Sequence, residues 1–247
     1  ILFCYYLLIK LNRKVYKLVY YLIFMEVIDL KGNGQVRIAG IEMDVSYLGK
    51  TITYTLPLIG PSYHQNVMGS IDKAKLLRPT TAQTLSLVDL ALQNPEEANC
   101  QEVLTRFKKN YLWTSTEGLS FSDGYIAYDN TDGKMPQTSQ KLTKMLDAKD
   151  PKVRLVKPGF KTGYFPMNEF LKHPVLTAHV GEEMIPVVER VAKKLNRDGG
   201  YIFAVDKSES DTKRLTAVYS GRDDDRLDLD GDCGDTDGGG YASGVRS

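Results

Sequence analysis

The spacing of apolar and polar residues along the chain predicts a mixed α+β domain. Apolar residues at helical intervals predict two helices between 80 and 110, a short one over 137–147 and a longer one over 184–195. Runs rich in β-forming residues predict strands at 36–41, 52–56, 111–116, 124–130, 152–156, 201–205 and 215–219. This order of strands and helices is typical of an α+β fold, in which helices flank a mixed or antiparallel sheet.

Local signals predict where the first two helices begin. Thr80 or Thr81 is expected to cap the first, because a hydroxyl can accept a hydrogen bond from an orphan amide of the first turn. Pro95 is expected in the first turn of the second, with Asn94 as its cap, since a helix tolerates proline at its first position. This second helix is expected to close at 108–110, where two lysines precede an asparagine.

Three single residues carry further expectations. Trp113 is the only tryptophan, and its large apolar area predicts a place in the core. Gly118 is expected to turn the chain after the strand that holds Trp113. His64 follows the breaker sequence Gly-Pro-Ser and is expected to be a surface residue of a polar loop, because no second metal ligand stands near it in sequence.

Residues 1–24 differ from the rest of the chain, since they contain four cations but no acid, glycine or proline. Their uncharged apolar runs are shorter than the about 20 residues of a membrane-spanning helix. The cations lie in the middle of the segment, which does not fit a secretory signal. We expect a dispensable or upstream-derived extension, with a basic amphipathic surface helix as the alternative. The domain is then expected over 25–247.

Charge and composition exclude several classes of protein. Removing residues 1–24 lowers the formal charge from +1 to −3, so no basic balance indicates nucleic acid. Three scattered cysteines are too few for a disulfide framework or a zinc site. We find no acid/base pair, no nucleophile with a base and no metal cluster at a meaningful spacing. The sequence therefore predicts neither an enzyme nor a cofactor.

The composition of residues 221–247 is unusual. The first 220 residues use Asp and Glu about equally, yet this segment contains eight Asp and no Glu, Lys or Gln. Selection for acidity alone would be expected to mix Asp with Glu. Its Asp, Gly, Cys, Thr, Tyr, Ala and Ser codons are instead one or two changes, at the first and second positions, from the Asn codons AAC and AAT. That pattern indicates unfaithful copying of template adenines.

Residues 201–247 resemble the variable region of the variable proteins of diversity-generating retroelements, including the closing Gly-Val-Arg at 244–246. The resemblance implies a C-type-lectin-like fold, a variable region over about 215–247, and a virus particle or cell surface as location. The Leu-Trp-Thr-Ser-Thr-Glu run at 112–117 also looks like the core of a lectin fold. Implied ligand-binding residues are Asp223, Asp224, Asp225, Asp228, Asp230, Asp232, Cys233, Asp235, Thr236, Asp237, Gly239 and Tyr241.

The tail allows other interpretations. A disordered acidic end is one, although Leu227 and Leu229 alternate as a strand would. An EF-hand is excluded, because Cys233 and Gly239 stand where that loop needs glycine and glutamate. An acidic surface or structural protein with an Asp-rich calcium-binding tail remains the alternative. For the binding interpretation we expect a protein or surface ligand, basic in character, whose association weakens as salt rises.

Overall fold

The computed structural model describes residues 41–195, 198–221, 226–234 and 238–246. It confirms an α+β fold with mixed sheets. The extension predicted over 1–24 lies outside the described residues, as does most of the strand predicted at 36–41. The described part of the domain thus begins at residue 41.

The elements follow one another in groups of strands separated by helices. They are β1 (Ile41–Tyr47), β2 (Lys50–Leu56), β3 (Ile59–Ser62), α1 (His64–Lys73), α2 (Thr81–Gln93), α3 (Ala98–Lys109), β4 (Leu112–Phe121), β5 (Gly124–Asp129), α4 (Ser139–Asp147), β6 (Val153–Val156), β7 (Gly163–Pro166), α5 (Met167–Phe170), α6 (Pro174–Val180), a 3₁₀ turn (Glu182–Met184), α7 (Ile185–Lys194), β8 (Gly199–Phe203), β9 (Thr212–Ser220), β10 (Leu227–Cys233), β11 (Gly240–Ala242) and β12 (Val245–Arg246).

The strands form a small sheet and a large one. The small sheet has the order β1-β2-β12, so the last described strand pairs with the second. The large sheet has the order β3-β11-β4-β9-β10-β8-β7, and β5 and β6 extend it from β4. Most pairs are antiparallel, but β10 runs parallel to β8 and β11 runs parallel to β4. This mixture matches the sheet predicted from the sequence.

The large sheet is covered by helices on both faces. Neighbouring residues of β4 and β9 divide between two apolar clusters, because side chains alternate along a strand. Leu112 and Val218 enter the main core with α2, α3, α6 and α7. Trp113 and Ala217 enter a smaller cluster, into which α1 packs Met68 and other residues. We call the Trp113 side the outer face of the sheet.

The predicted start of the first of these two helices is confirmed, and that of the second is wrong. Thr80 caps α2 as predicted, and its side chain and that of Gln83 form a reciprocal capping box. Helix α3 begins at Ala98 rather than at Pro95, so that prediction was wrong. The amide of Glu97 donates to the carbonyl of Asn94, which makes 94–97 a turn with the proline in its second position.

Gly118 does not turn the chain, contrary to the prediction. It lies inside β4, which continues to Phe121. A Cβ at this position would overlap the hydroxyl of Tyr125, which belongs to the partner strand β5. The glycine therefore permits a close approach within the sheet, a role that glycine has in strands as well as in turns.

The core position of Trp113 is confirmed, whereas the surface position of His64 is not. Trp113 is fully buried and its Nε1 donates to the carbonyl of Ser62. His64 starts α1 and is only 5% exposed. Its Nε2 lies 3.1 Å from the carbonyl oxygen of Thr114, and its ring meets that of Trp113 edge-on. The histidine is thus part of the packing beneath α1.

We expect the free energy of unfolding to fall as the pH decreases below 6.5. All three histidines, His64, His173 and His179, are buried, and burial lowers the pKa of each from its ordinary value. Burial lowers the pKa of His179 to about 3. Between pH 6.5 and about 3, His179 therefore binds a proton in the unfolded chain but not in the folded one. The free energy of unfolding falls there by about 1.4 kcal/mol per pH unit because of this residue.

Urea denaturation at pH 7.5, 6.0 and 5.0 measures this slope. The variant His179→Asn lacks the group and should show a shallower loss of stability with acid, whatever its stability at pH 7.5. Equal slopes in the variant and the parent protein would contradict the assignment.

Candidate functional site

The strand β10 brings the predicted variable segment into the middle of the large sheet. Leu227 is aligned with Gly200 of β8 on one side and with Ser220 of β9 on the other. Backbone hydrogen bonds to two neighbours therefore determine where this part of the segment lies. The acidic tail is an interior strand here rather than only a loop.

The alternation expected at the start of this strand is confirmed. Leu227 and Leu229 are 1% exposed and belong to the main core. Asp228 and Asp230 point to the outer face, as the period of two requires. Asp228 is buried and its Oδ1 lies 2.8 Å from Nε of Arg226, whereas Asp230 is partly exposed.

Tyrosines extend from Asp228 across the outer face in both directions. Asp228 is aligned with Tyr219 of β9 and with Tyr201 of β8, and Tyr201 is aligned with Tyr164 of β7. Beyond Tyr219, the ring of Tyr111 lies 5.1 Å away, edge to face. We call Tyr111, Tyr219, Tyr201 and Tyr164 the aromatic row. With about 4.8 Å between strands, it crosses about 19 Å of the sheet.

The centre of the aromatic row combines a cation, aromatic rings and carboxylates. The guanidinium carbon of Arg226 lies 4.7 Å from the ring centroid of Tyr201. On the same strand, Phe203 stacks on Tyr201 with centroids 4.1 Å apart. Tyr201, Phe203 and Tyr219 are partly exposed, and Tyr164 is 51% exposed. This half of the outer face therefore offers aromatic surface to solvent.

The two aspartates affect the ionisation of a tyrosine on this face. The pKa of the Tyr219 phenol is raised, first by burial and then by the charges of Asp230 and Asp228. A neighbouring anion opposes the formation of a second anion and attracts a cation. The aspartates therefore keep the Tyr219 phenol protonated over a wider range of pH.

The structure separates the predicted site residues by their exposure. Among those it describes, Asp228, Cys233 and Tyr241 are buried, so their side chains offer little area to a ligand. Asp230 and Gly239 are partly exposed. Asp232 is exposed, and an ion pair of 2.8 Å joins it to Arg214. The predicted residues Asp223, Asp224, Asp225, Asp235, Thr236 and Asp237 lie outside the described residues.

Buried residues of the segment contribute to packing. The ring of Tyr241 lies under the guanidinium of Arg106, 4.5 Å from its carbon atom. Cys233 packs on the outer face in the cluster of Trp113. The same cluster contains Ala242, and Val245 enters the main core. These side chains hold the sheet together.

The described residues before and after β10 lie at opposite ends of this strand. Gly221 and Arg226 flank the beginning of β10, whereas Gly234 and Gly238 flank the passage from its end to β11. The seven residues of β10 separate these ends by about 20 Å. The side of β10 that faces the outer face of the sheet lies between these two ends.

Sequence reasoning did not assign a function to the aromatic row. It placed Tyr201, Phe203 and Tyr219 in the strands that lead to the tail, but gave them no role beyond the sheet. The available signal was the pair of aromatics two residues apart at 201 and 203, which must share one face of a strand. The alignment of β7, β8 and β9 across that face was not accessible from spacing alone.

The described residues contain neither a metal cluster nor a membrane-spanning helix. No group of three or more His, Cys, Asp or Glu among them is placed to hold a metal ion. Within the same ranges, no helix combines the length and the apolar character needed to cross a membrane.

The arrangement of strands and helices matches that of a solved structure. That structure was presented as the accommodation of massive sequence variation in Nanoarchaeota by the C-type lectin fold. The TM-score is 0.52 and the sequence identity 15%, and the match covers 84% of this chain and 99% of the other. No protein-family model and no curated protein matches the sequence. The chain therefore has the C-type lectin fold, and at this identity the likeness concerns the fold alone.

Glycines near the end of the segment differ in the space around them. A Cβ at Gly240 would overlap the indole nitrogen of Trp113, and one at Gly244 would overlap the side chain of Leu76. Around Gly239 the space is open, although its φ of +114° is unfavourable for other residues. The packing therefore restricts Gly240 and Gly244 to glycine.

We expect Gly240→Ala to lower the free energy of unfolding by about 2–3 kcal/mol, because the added methyl group overpacks the contact with Trp113. Gly69→Ala is the matched control. Gly69 lies within α1 with no atom within 4 Å of the added Cβ, so this change should raise stability by roughly 0.5–1 kcal/mol. Chemical denaturation measures both, and a neutral Gly240→Ala would contradict the packing argument.

Proposed function

We propose that this chain is a ligand-binding, receptor-type protein with a hypervariable C-terminal surface, generated by a diversity-generating retroelement. The observation that carries the proposal is the position of the acidic segment. A stretch whose composition indicates copying errors at adenines supplies β10, which lies between β8 and β9. The C-type lectin fold of the chain supports this proposal.

The proposed mechanism separates the framework from recognition. Pairing with β8 and β9 positions the backbone of β10, so little loop entropy is lost when a ligand binds. Of the predicted binding residues that the structure describes, Asp230, Asp232 and Gly239 are at least partly exposed to solvent. A change of side chain at such positions alters the contacts while the backbone remains in place.

The charge of the segment favours a basic protein or surface ligand over a neutral one. Asp230 and Asp232 lie on the same strand, two residues apart, with at least part of their surface in solvent. Screening weakens interactions between exposed charges, so binding of such a partner weakens as salt rises. We further propose display on a virus particle or cell surface, and binding rather than catalysis.

The alternative is an acidic surface protein whose tail binds calcium. It is less well supported, because aspartates of the tail that could bind the ion already have cationic partners. Asp228 pairs with Arg226, and Asp232 pairs with Arg214. Calorimetry with calcium tests it: the alternative requires stoichiometric heat that Asp228→Ala abolishes.

The genetic test examines the DNA beside the gene. We expect a near-copy of the stretch that encodes 215–247, with adenine-rich Asn codons at the positions of the predicted variable residues, close to a reverse transcriptase gene. Sequencing the locus in related genomes should show differences confined to those codons. A flanking region without such a copy would overturn the retroelement origin.

The physical test compares the stability effects of substituting a buried and an exposed side chain of β10. Leu229→Ala should lower the free energy of unfolding by about 3 kcal/mol, because it leaves a cavity in the main core. Asp232→Ala should change it by less than about 1 kcal/mol, since its ion pair is exposed. Equal losses, measured by chemical denaturation, would contradict the separation of framework from recognition.

A further inference from the structure

A cleft opens where the end of α6 meets the ends of β1 and β5. Its volume is about 510 Å³, which is a size that accommodates a small organic molecule. Ala82 and Val180 of the main core form part of its wall. Every residue that lines the cleft precedes residue 215, so the cleft lies outside the predicted variable region.

His179 contributes a buried nitrogen without a partner to the wall of this cleft. The residue is only 1% exposed, and its Nε2 lies 2.8 Å from the hydroxyl of Tyr125. The other ring nitrogen, Nδ1, is buried and has no hydrogen-bond partner among the described residues. Buried polar atoms are rarely left without a partner, so this nitrogen indicates a ligand in the cleft.

The charged groups of the wall leave an excess of negative charge. Arg154 and Asp129 form an ion pair of 2.8 Å, and the guanidinium also donates to two main-chain carbonyls. These two opposite charges compensate each other. Glu182 and Glu183 line the same cleft, and neither forms an ion pair within the described part of the chain. A ligand with a positive charge therefore fits this wall better than an anion.

The carboxylate of Glu183 lies close to the end of α6. A Cβ added to Gly181, which follows α6, would lie 2.7–2.9 Å from the carboxyl atoms of Glu183. The glycine thus leaves room for this carboxylate two residues after His179. The pKa of Tyr47, which also lines the cleft, is raised by burial and then by the charges of Asp129 and Glu183. A carboxylate, a phenol and an imidazole nitrogen therefore border one space.

We propose that this cleft binds the primary ammonium group of a small ligand, which donates hydrogen bonds to Nδ1 of His179 and to the carboxylate of Glu183. An ammonium group has three donors and no acceptor, so it can satisfy both atoms at once. Nδ1 accepts when the single ring proton lies on Nε2, which then donates to the hydroxyl of Tyr125. Burial lowers the pKa of His179 to about 3, so the ring is neutral near pH 7.

The test uses two isomeric cations, n-butylammonium and tetramethylammonium, titrated into the intact chain and followed by NMR chemical shifts. The isomers have the same charge, but only n-butylammonium has N–H donors. We expect it to bind with a Kd on the order of 1 mM and at least about fivefold more tightly than its isomer. The nitrogen resonances of the His179 ring should show Nδ1 without a proton, and the Nδ1 resonance should shift as n-butylammonium binds.

Two glutamine variants separate the site from general charge attraction. Glu183→Gln keeps the size of the side chain and removes its charge, so it should weaken n-butylammonium binding at least about fivefold. Glu189→Gln is the matched control, because Glu189 pairs with Lys193 on α7 and does not line the cleft. Its effect should be less than about twofold. Circular dichroism and thermal melting show that both variants are folded.

Four results would each overturn the ammonium site. They are no saturable binding of n-butylammonium, equal affinity for the two cations, equal weakening by the two variants, and an Nδ1 resonance that stays in place during the titration. None of them affects the proposed function, because no lining residue belongs to the predicted variable region. Absence of the adenine-rich near-copy, conversely, would overturn the retroelement origin and leave the ammonium site.

Discussion

The structure depends on the pairing of β10 with two neighbours at once. Main-chain amides and carbonyls make these contacts, and they are the same whatever side chain a residue carries. Leu227 and Leu229 add apolar anchors on the core side. A strand held by its backbone and by two leucines can carry very different groups on its other side. This property fits the proposed display of different side chains on one framework.

Much of the scaffold could be predicted from the sequence, because local signals agree with tertiary packing there. The cap at Thr80, the burial of Trp113 and the strand alternation at Leu227 are of this kind. The wrong predictions concern residues whose position depends on a contact with a residue far away in sequence. His64 is buried because α1 packs over Trp113, and Gly118 stays in a strand because Tyr125 passes close to it. Neither contact is visible in the residues beside it in sequence.

The candidate site was predicted in part, for a physical reason. Composition identified the segment, but it could not distinguish displayed residues from buried ones, since eight aspartates look alike in sequence. Asp228 is buried because Arg226 provides a cationic partner two residues away, while Asp230 keeps partial exposure. The aromatic row was missed because its members come from separate strands. Only the sheet register aligns Tyr164, Tyr201 and Tyr219.

The pairing of β12 with β2 has a consequence for how such a protein tolerates errors in its gene. Val245 is aligned with Tyr54 and also bridges to Leu77, so the end of the predicted variable segment completes the small sheet. A product interrupted within that segment would lack this closure and leave β2 paired with β1 alone. Completion of the small sheet thus requires synthesis of the chain through its last described strand.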